Sequence, residues 1–391
     1  MPQETTAEGA KSSGPGMIFV AFRSSLAKAG SWGDIMAETT TVLVGTTKGL
    51  FIATSGPGRS GWDLSGPFCE GWPVNHAIGD AASGRIWAGG GGTWFGAGVW
   101  RRDGGEWSLS KGPFDPAQQV WSLARDGDRL LAGTKPAMLW ESHDEGATWA
   151  RMPALTDQPG AEEWQPGAAG LVLHTILCGG QGQIVVGISS AGAFVTTDGG
   201  RTWARRTRRS NRPGPAGSLE RHWDGQEIRA EDEIFSCVHN MSFGATKGLI
   251  YMQNHQGVYR SRDSGGLWEE ITEGLPSTFG FPVSAHPRDP DTLWVFPLNG
   301  DSKGRYPVDA VALVWRSRDG GESWQGFGQG LPEKDFFGTV LRQGMANDRA
   351  DPVGVYFGTN TGSVFASRDE GESWTEIARH LPTVLSVEVM G

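Results

Sequence analysis

Short apolar runs, each followed by a polar turn, recur along the chain from residue 41 onward. Leu313–Trp315 and Val364–Phe365 are typical, and in both cases Ser-Arg-Asp follows after one intervening residue. Runs this short, bounded by Gly, Asp and Ser, are characteristic of strands joined by tight turns. The pattern predicts that the repeated unit is a small antiparallel sheet.

The turns share an eight-residue pattern, S/T-x-D-x-G-x-x-W, which we call the octet. Its five full copies are Ser142–Trp149, Thr196–Trp203, Ser261–Trp268, Ser317–Trp324 and Ser367–Trp374. Arg102–Trp107 is a shortened copy and Gly56–Trp62 a degraded one. Successive octet aspartates are 54, 65, 56 and 50 residues apart. A near-regular period of this length indicates a solenoid or a propeller.

Each specified position of the octet has a local physical role. The hydroxyl and carboxylate can bond nearby backbone amides and so hold a tight turn. The glycine permits a positive φ, and the tryptophan offers a large apolar face to bury between neighbouring sheets. We therefore interpret the octets as structural β-hairpin turns with no part in catalysis.

These octets are the Asp-box, or BNR, motif, and the chain resembles the Asp-box β-propeller proteins, which include sialidases and sortilin-type domains. The resemblance covers residues 41–391 and implies an all-β propeller. Counting strands gives seven blades and one spare strand, Val384–Val389. Because blade 1 lacks an inner strand, we expect this C-terminal strand to enter blade 1 and close the ring. Residues 1–40 are expected to form a disordered tail or an over-extended start, with Met36 as the initiator.

Composition narrows the possible partners and location. The formal net charge of −10 argues against a nucleic-acid groove or an anionic membrane surface. No apolar run approaches the roughly 20 residues of a membrane span. Three widely spaced cysteines do not make a disulfide framework, and Arg23 interrupts the short N-terminal apolar run. We therefore predict a cytoplasmic protein.

Two long connections point to one face of the propeller. They cover residues 207–233 and 299–309. In a four-stranded blade, the loops that join blades and the loops between the second and third strands emerge on the face opposite the octets. We call this loop-rich side the crown face and expect function there, since long loops in compact repeats are often functional.

Three histidines suggest a metal site. His76, His174 and His239 occupy matching places when the inner strands are aligned on their apolar residues. Three imidazoles with an open position suit one divalent metal, the candidate cofactor. The alternative is that these histidines hydrogen-bond backbone and water in a polar channel. His174 and His239 are also candidate catalytic acid–base groups.

Further candidates lie in the crown connections. Glu163 and Asp301 are candidate catalytic carboxylates, since glycosidases need two carboxyl groups around one bond. The candidate ligand-binding residues are His76, His255, Arg212, Arg305, Tyr306, Arg342 and Trp164. Cys237, two residues before His239, is interpreted as a buried strand cysteine, with a nucleophile as the alternative.

Two functional hypotheses remain open. One is a propeller that binds a small polar ligand or glycan on its crown face, with glycosidase-like hydrolysis. True sialidase activity is not expected, because the Arg-Ile-Pro element of sialidases is absent and Arg151–Pro153 lies in the wrong place. The other hypothesis is a non-catalytic scaffold that binds a protein partner.

Overall fold

The computed structural model describes residues 39–92, 94–114, 119–211, 219–221, 227–229, 233–234 and 236–391. Side chains are described throughout these ranges except at 219–221, 227–229 and 301. The predicted N-terminal tail lies outside the described residues apart from its last two positions. Within the described residues, no helix is both long and apolar enough to cross a membrane.

Seven four-stranded antiparallel sheets follow one another around a ring, which confirms the predicted seven-bladed propeller. Blade 1 contains β1 (Thr40–Thr46), β2 (Gly49–Ser55), β3 (Asp63–Phe68) and the C-terminal β30 (Val384–Val389). Blade 2 contains β4 (Val74–Asp80), β5 (Arg85–Gly92), β6 (Gly96–Asp103) and β7 (Glu106–Ser110). Blade 3 contains β8 (Gln119–Asp126), β9 (Arg129–Lys135), β10 (Leu139–Ser142) and β11 (Ala150–Arg151).

The remaining blades repeat this order, with the first strand innermost. Blade 4 contains β12 (Leu173–Gly180), β13 (Gln183–Ile188), β14 (Gly192–Thr196) and β15 (Ala204–Arg205), and the hairpin β16 (Leu219–Arg221) and β17 (Glu227–Arg229) follows it. Blade 5 contains β18 (Val238–Phe243), β19 (Ile250–Asn254), β20 (Gly257–Ser261) and β21 (Glu269–Glu270). Blade 6 contains β22 (Gly280–Ala285), β23 (Leu293–Pro297), β24 (Val314–Ser317) and β25 (Gln325–Phe327). Blade 7 contains β26 (Met345–Asn347), β27 (Val355–Gly358), β28 (Val364–Ser367) and β29 (Thr375–Ala378).

Helical structure among the described residues is limited to short 3-10 turns. They cover Cys69–Gly71, Pro153–Leu155, Ala161–Glu163, Asp301–Lys303 and Val308–Ala310. The apolar core lies between adjacent blades. Trp87 of blade 2, for example, packs with Leu123 and Trp140 of blade 3. Each sheet therefore depends on its neighbours to bury both faces.

The ring closes as predicted. β30 pairs antiparallel with β1, with Val387 opposite Val44. β30 also reaches blade 7, where the Val387 amide donates to the Gln343 carbonyl at 2.7 Å. Blade 1 is thus built from both ends of the described chain, and its β1 edge is not left open.

The five octets form the same turn. In each copy the Ser or Thr hydroxyl contacts the aspartate Oδ1 at 2.7–2.8 Å and accepts a bond from the glycine amide at 2.8–3.1 Å. Oδ1 also accepts from the amide four residues later at 2.8–3.0 Å. The turn carbonyls bind the preceding blade, as in the 2.9 Å bond from Trp87 Nε1 to the Glu145 carbonyl. The octets thus link neighbouring blades as well as strands.

The octet hydrogen bonds should make the fold less stable at acid pH. The Thr148 hydroxyl and amide lower the pKa of Asp144 to about 2. Partial burial acts to raise the pKa of Asp319, but bonds from Ser323 and Ser317 outweigh it and the pKa is lowered. A carboxyl with a lowered folded-state pKa stabilises the fold above its unfolded pKa, and this contribution is lost as pH falls through the folded value.

We expect Asp319→Ala to cost on the order of 1 kcal/mol at pH 7, because turn amides lose their acceptor. The difference from the parent should shrink as pH falls below about 4, through the lowered pKa of Asp319. Urea unfolding at several pH values measures it. Asp128→Ala, at an exposed position in the β8–β9 turn, is the matched control and should be near neutral. A pH-independent cost of Asp319→Ala would contradict this account.

Candidate functional site

The topology places most of the candidate residues on the crown face. His255 lies in the β19–β20 turn, and Arg305 and Tyr306 lie in the β23–β24 connection. Trp164 and Arg342 lie in connections between blades. All these loops leave the sheets on the side opposite the octets, since antiparallel strands alternate in direction.

The inner strands carry β-bulges that change the alignment of the three histidines. In β12 and β18 the pairing shifts around His174 and His239, so each is the extra, bulged residue. In β4 the shift occurs around Asn75 instead. His76 therefore matches Thr175 and Asn240, and the predicted equivalence of the three histidines is wrong by one residue. A bulge changes the direction in which the side chain of the bulged residue points, and an alignment of the strand sequences cannot show this.

The two bulged histidines point toward the next blade. His174 Nε2 lies 2.9 Å from the Val238 carbonyl and His239 Nδ1 lies 2.6 Å from the Gly280 carbonyl. Burial and the nearby Arg342 guanidinium lower the pKa of His174 to about 3, although the bond to Val238 opposes the shift. The same two causes hold the pKa of His239 well below its usual value. Both rings are therefore neutral groups that join blades.

His76 faces the central channel. Its Nδ1 accepts a 3.0 Å bond from the Leu123 amide, and its Nε2 lies 3.6 Å from Glu388 Oε2 of β30. The channel has a volume of about 970 Å³ and its wall includes Thr175 and Asn240. It extends to the ends of the inner strands on the octet side. Both polar and apolar side chains line the channel. His76 and His174 are among them, and His239 is not.

The predicted metal ligands are not brought together. Among the described residues, the group whose donor atoms suit a metal is Cys237, His239 and His255, with donor atoms all within 4.8 Å of one another. His76 and His174 are not part of it. The physical reason is the bulge, which turns His239 away from the channel and toward the crown end of blade 5. The sequence shows that Cys237 and His239 are neighbours along one strand, but it does not show that His255 lies beside them. His255 is brought there by the pairing of β18 with β19.

A crown-face pocket lies at blade 6. Its volume is about 480 Å³, and three connections form it. The lining residues are Pro276, Ser277, Asn299, Lys303, Tyr306, Val308, Asp309, Ala310 and Phe337. The Tyr306 and Phe337 rings meet edge to face at 5.0 Å. The long β23–β24 connection therefore forms part of a concave site, on the face where the sequence predicted function.

Exposed aromatic side chains mark the crown face. Phe337 is 61% exposed, and Trp94, in the β5–β6 connection, is 93% exposed. Aromatic side chains are enriched at binding interfaces relative to the rest of a protein surface. The sequence analysis missed both, although an aromatic residue inside a Gly-rich or charged loop is a detectable signal.

Arginines on the crown face are held by internal contacts. The Arg342 guanidinium lies 4.9 Å from the Phe281 ring centre, and that of Arg305 lies 5.8 Å from the same ring. In the Arg-rich stretch, Arg205 bonds the Ala191 carbonyl and Arg209 pairs with Glu270. Arg212 lies outside the described residues.

The described aspartates with a shifted pKa do not fit the acid of a glycosidase pair. Glu163 is exposed in its 3-10 turn, while the neighbouring Trp164 packs against Phe194 at 5.0 Å. The Asp301 side chain lies outside the described residues. Every described aspartate with a shifted pKa has a lowered one. A glycosidase general acid needs a raised pKa, so none of these shifted groups fits that role.

Comparison with known proteins points to xyloglucanases over part of the chain. No family profile matches the chain. A xyloglucanase from Paenibacillus sp. is 29% identical over 222 residues, which cover 51% of this chain and 19% of that protein. A probable oligoxyloglucan-reducing end-specific xyloglucanase from Neosartorya fischeri is 26% identical over 262 residues, 58% of this chain and 27% of that protein. The similarity therefore spans about a fifth to a quarter of these relatives.

Solved structures share the propeller fold. A GH74 xyloglucanase from Xanthomonas campestris superposes with a TM-score of 0.60 at 18% identity, covering 88% of this chain and 53% of that chain. A putative 6-phosphogluconolactonase from Bacteroides uniformis has a TM-score of 0.53 at 11% identity, covering 90% and 99%. YCF48 bound to a D1 peptide has a TM-score of 0.51 at 16% identity, covering 78% and 82%. At these identities the likeness concerns the fold alone.

Proposed function

We propose that the chain is a glycan-binding propeller whose binding site is the blade 6 pocket on the crown face. The observation that carries the proposal is the Phe337 ring, which is 61% exposed beside Tyr306 at the wall of that pocket. Sugars present apolar C–H faces and polar hydroxyl edges. An open aromatic wall beside polar side chains offers both kinds of contact.

The polar lining suits a neutral, hydroxyl-rich ligand. Asn299 and Ser277 offer uncharged hydrogen-bonding groups, and Lys303 and Asp309 offer charged groups of opposite sign. The volume of about 480 Å³ is within the usual range for small-ligand sites. Partial similarity to xyloglucanases supports an oligoxyloglucan as the first glycan to test.

Calorimetric titration with xyloglucan oligosaccharides tests the proposal. We expect binding by the parent chain and at least about a tenfold loss of affinity in Phe337→Ala, equivalent to about 1.4 kcal/mol. Leu267→Ala is the matched control, because Leu267 is also exposed but lies in an octet on the opposite face. Equal affinities for all three proteins, or no binding of any oligosaccharide, would refute a glycan site at blade 6.

Glycosidase-like hydrolysis is a separate step of the proposal and needs its own measurement. The parent chain is incubated with the same oligosaccharides, and new reducing ends are counted over time. Hydrolysis that is lost in Asp309→Asn would support a catalytic role at this pocket. Binding without hydrolysis would leave the chain as a carbohydrate-binding module.

A protein-binding role is the second candidate, and Trp94 favours it. Its indole is 93% exposed and belongs to blade 2 rather than to the blade 6 pocket. The YCF48 structure contains a bound peptide, so a protein of this fold can serve such a role. If Trp94 serves a protein partner, Trp94→Ala should leave glycan affinity unchanged.

A further inference from the structure

Three potential metal ligands meet at the crown end of blade 5. Cys237 immediately precedes β18, His239 is the bulged residue of that strand, and His255 lies in the β19–β20 turn. Their donor atoms all lie within 4.8 Å of one another. Tetrahedral zinc needs roughly 3.4–3.8 Å between its nitrogen and sulfur ligands. A shift of the Cys237 and His255 donor atoms by about 1 Å toward His239 would give that spacing.

His239 is already oriented as a ligand. Its Nδ1 donates to the Gly280 carbonyl at 2.6 Å, so Nε2 carries the lone pair. A metal-binding imidazole commonly has its other nitrogen held by a carbonyl in this way. The ring is 1% exposed and packs against Phe281 and Phe279, with ring centres 4.8 and 5.2 Å away. This packing keeps the imidazole from turning.

A buried hydroxyl lies next to the Cys237 thiol. Ser190 is 7% exposed, and its Oγ has no nitrogen or oxygen partner among the described residues. The residue has φ of 63°, a left-handed conformation that is unfavourable for serine. Its hydroxyl contacts the Cys237 thiol. A neutral thiol is only a weak acceptor, and a metal-bound thiolate at Cys237 would accept this hydrogen bond more strongly.

The Arg342 guanidinium lies near the proposed site. It is 4.9 Å from the centre of the Phe281 ring, which packs against His239. Because this positive charge repels a cation, a ligand set that includes a thiolate is favoured, since the thiolate offsets one of the two positive charges of the ion.

We propose that Cys237, His239 and His255 bind one divalent ion that prefers nitrogen and sulfur ligands, of the zinc class. The Cys237 thiol loses its proton to solvent when the metal–sulfur bond forms. Ser190 contacts the Cys237 thiol, and a water molecule would complete the tetrahedron. His255 is half-buried in a crown-face turn and gives the ion its route of entry. The proposal does not depend on the glycan site at blade 6.

Cobalt spectroscopy tests this site directly. Metal-free chain purified without an affinity tag is titrated with Co²⁺, and absorption is followed in the near ultraviolet and visible. We expect one equivalent to bind with a thiolate-to-cobalt charge-transfer band and tetrahedral d–d bands, both removed by Zn²⁺. Cys237→Ala should abolish the charge-transfer band and lower Zn²⁺ affinity by at least roughly 10–100-fold. Cys178→Ala, at the half-buried cysteine of β12, should behave as the parent.

A second variant protects the test against misfolding. His255→Ala changes a half-buried turn residue, and we expect it to keep the parent's unfolding curve while losing Zn²⁺ affinity. His76→Ala removes a channel histidine outside the group and should bind as the parent does. The proposal is overturned if no charge-transfer band forms. It is equally overturned if Zn²⁺ binds folded Cys237→Ala and His255→Ala as tightly as the parent, since the ion would then be bound elsewhere.

Discussion

Removal of residues 384–391 should abolish cooperative folding. This deletion takes away β30, which supplies the inner strand of blade 1 and also bonds blade 7. Val384 and Val387 are fully buried, and a buried valine contributes roughly 1.5–3 kcal/mol. Together with the lost strand pairing, the loss of these two valines amounts to a large part of the roughly 5–15 kcal/mol that stabilises a typical domain. We expect insoluble protein, or soluble protein without a cooperative thermal transition.

Point substitutions within β30 provide the matched comparison. Val387→Asp places a charge in the core between blades 1 and 7 and should approach the effect of the deletion. Glu388→Gln changes the next residue, which faces the channel, and should leave unfolding nearly unchanged. Soluble expression and urea unfolding distinguish the two. A truncated chain that unfolds like the parent would show that the ring does not need this closure.

The fold was predictable because its signal is local. Each octet forms the hydrogen bonds that shape its turn within the eight residues that define it, as Ser317, Asp319 and Gly321 show. A repeated local motif therefore reports both the turn and the number of sheets. Strand counting then required a closing strand, and Val384–Val389 was the spare one. None of these steps requires knowing the direction in which a side chain points.

The candidate site was less predictable because it depends on single-residue shifts in strand pairing. A bulge before His76 and bulges at His174 and His239 look identical in the sequence, yet they send the side chains in different directions. His255 reaches His239 only through pairing between β18 and β19. The blade 6 pocket was nearer to being predicted, since the length of the Asn299–Asp309 connection indicated it. The exposed Phe337 belongs to a different connection, between β25 and β26. Local sequence patterns do not show that these two connections lie side by side.

Arg59→Ala should destabilise the chain by roughly 3–5 kcal/mol, the usual cost of removing one partner of a buried ion pair. Arg59 lies in the degraded octet copy of blade 1. Its Nη1 bonds Asp348 Oδ2 of blade 7 at 2.9 Å, and both side chains are less than a tenth exposed. Nη2 bonds the Pro352 carbonyl at 2.8 Å. Without the guanidinium, Asp348 would stay buried, with the Tyr356 hydroxyl still donating to Oδ2.

Arg288→Ala is the matched control for this prediction. Arg288 belongs to blade 6 and reaches the same blade 7 loop through the Arg349 and Ala350 carbonyls, but its side chain is 44% exposed. Exposed contacts of this kind contribute at most about 1 kcal/mol. Urea unfolding of both variants, of Asp348→Ala and of Arg59→Ala/Asp348→Ala measures the effect. The double variant should be less destabilised than the sum of the single ones, because the second change removes the buried charge left by the first. Equal costs for Arg59→Ala and Arg288→Ala would show that the degraded octet adds nothing to ring closure. The expected difference would show that the degraded octet holds blade 1 to blade 7 through a buried ion pair.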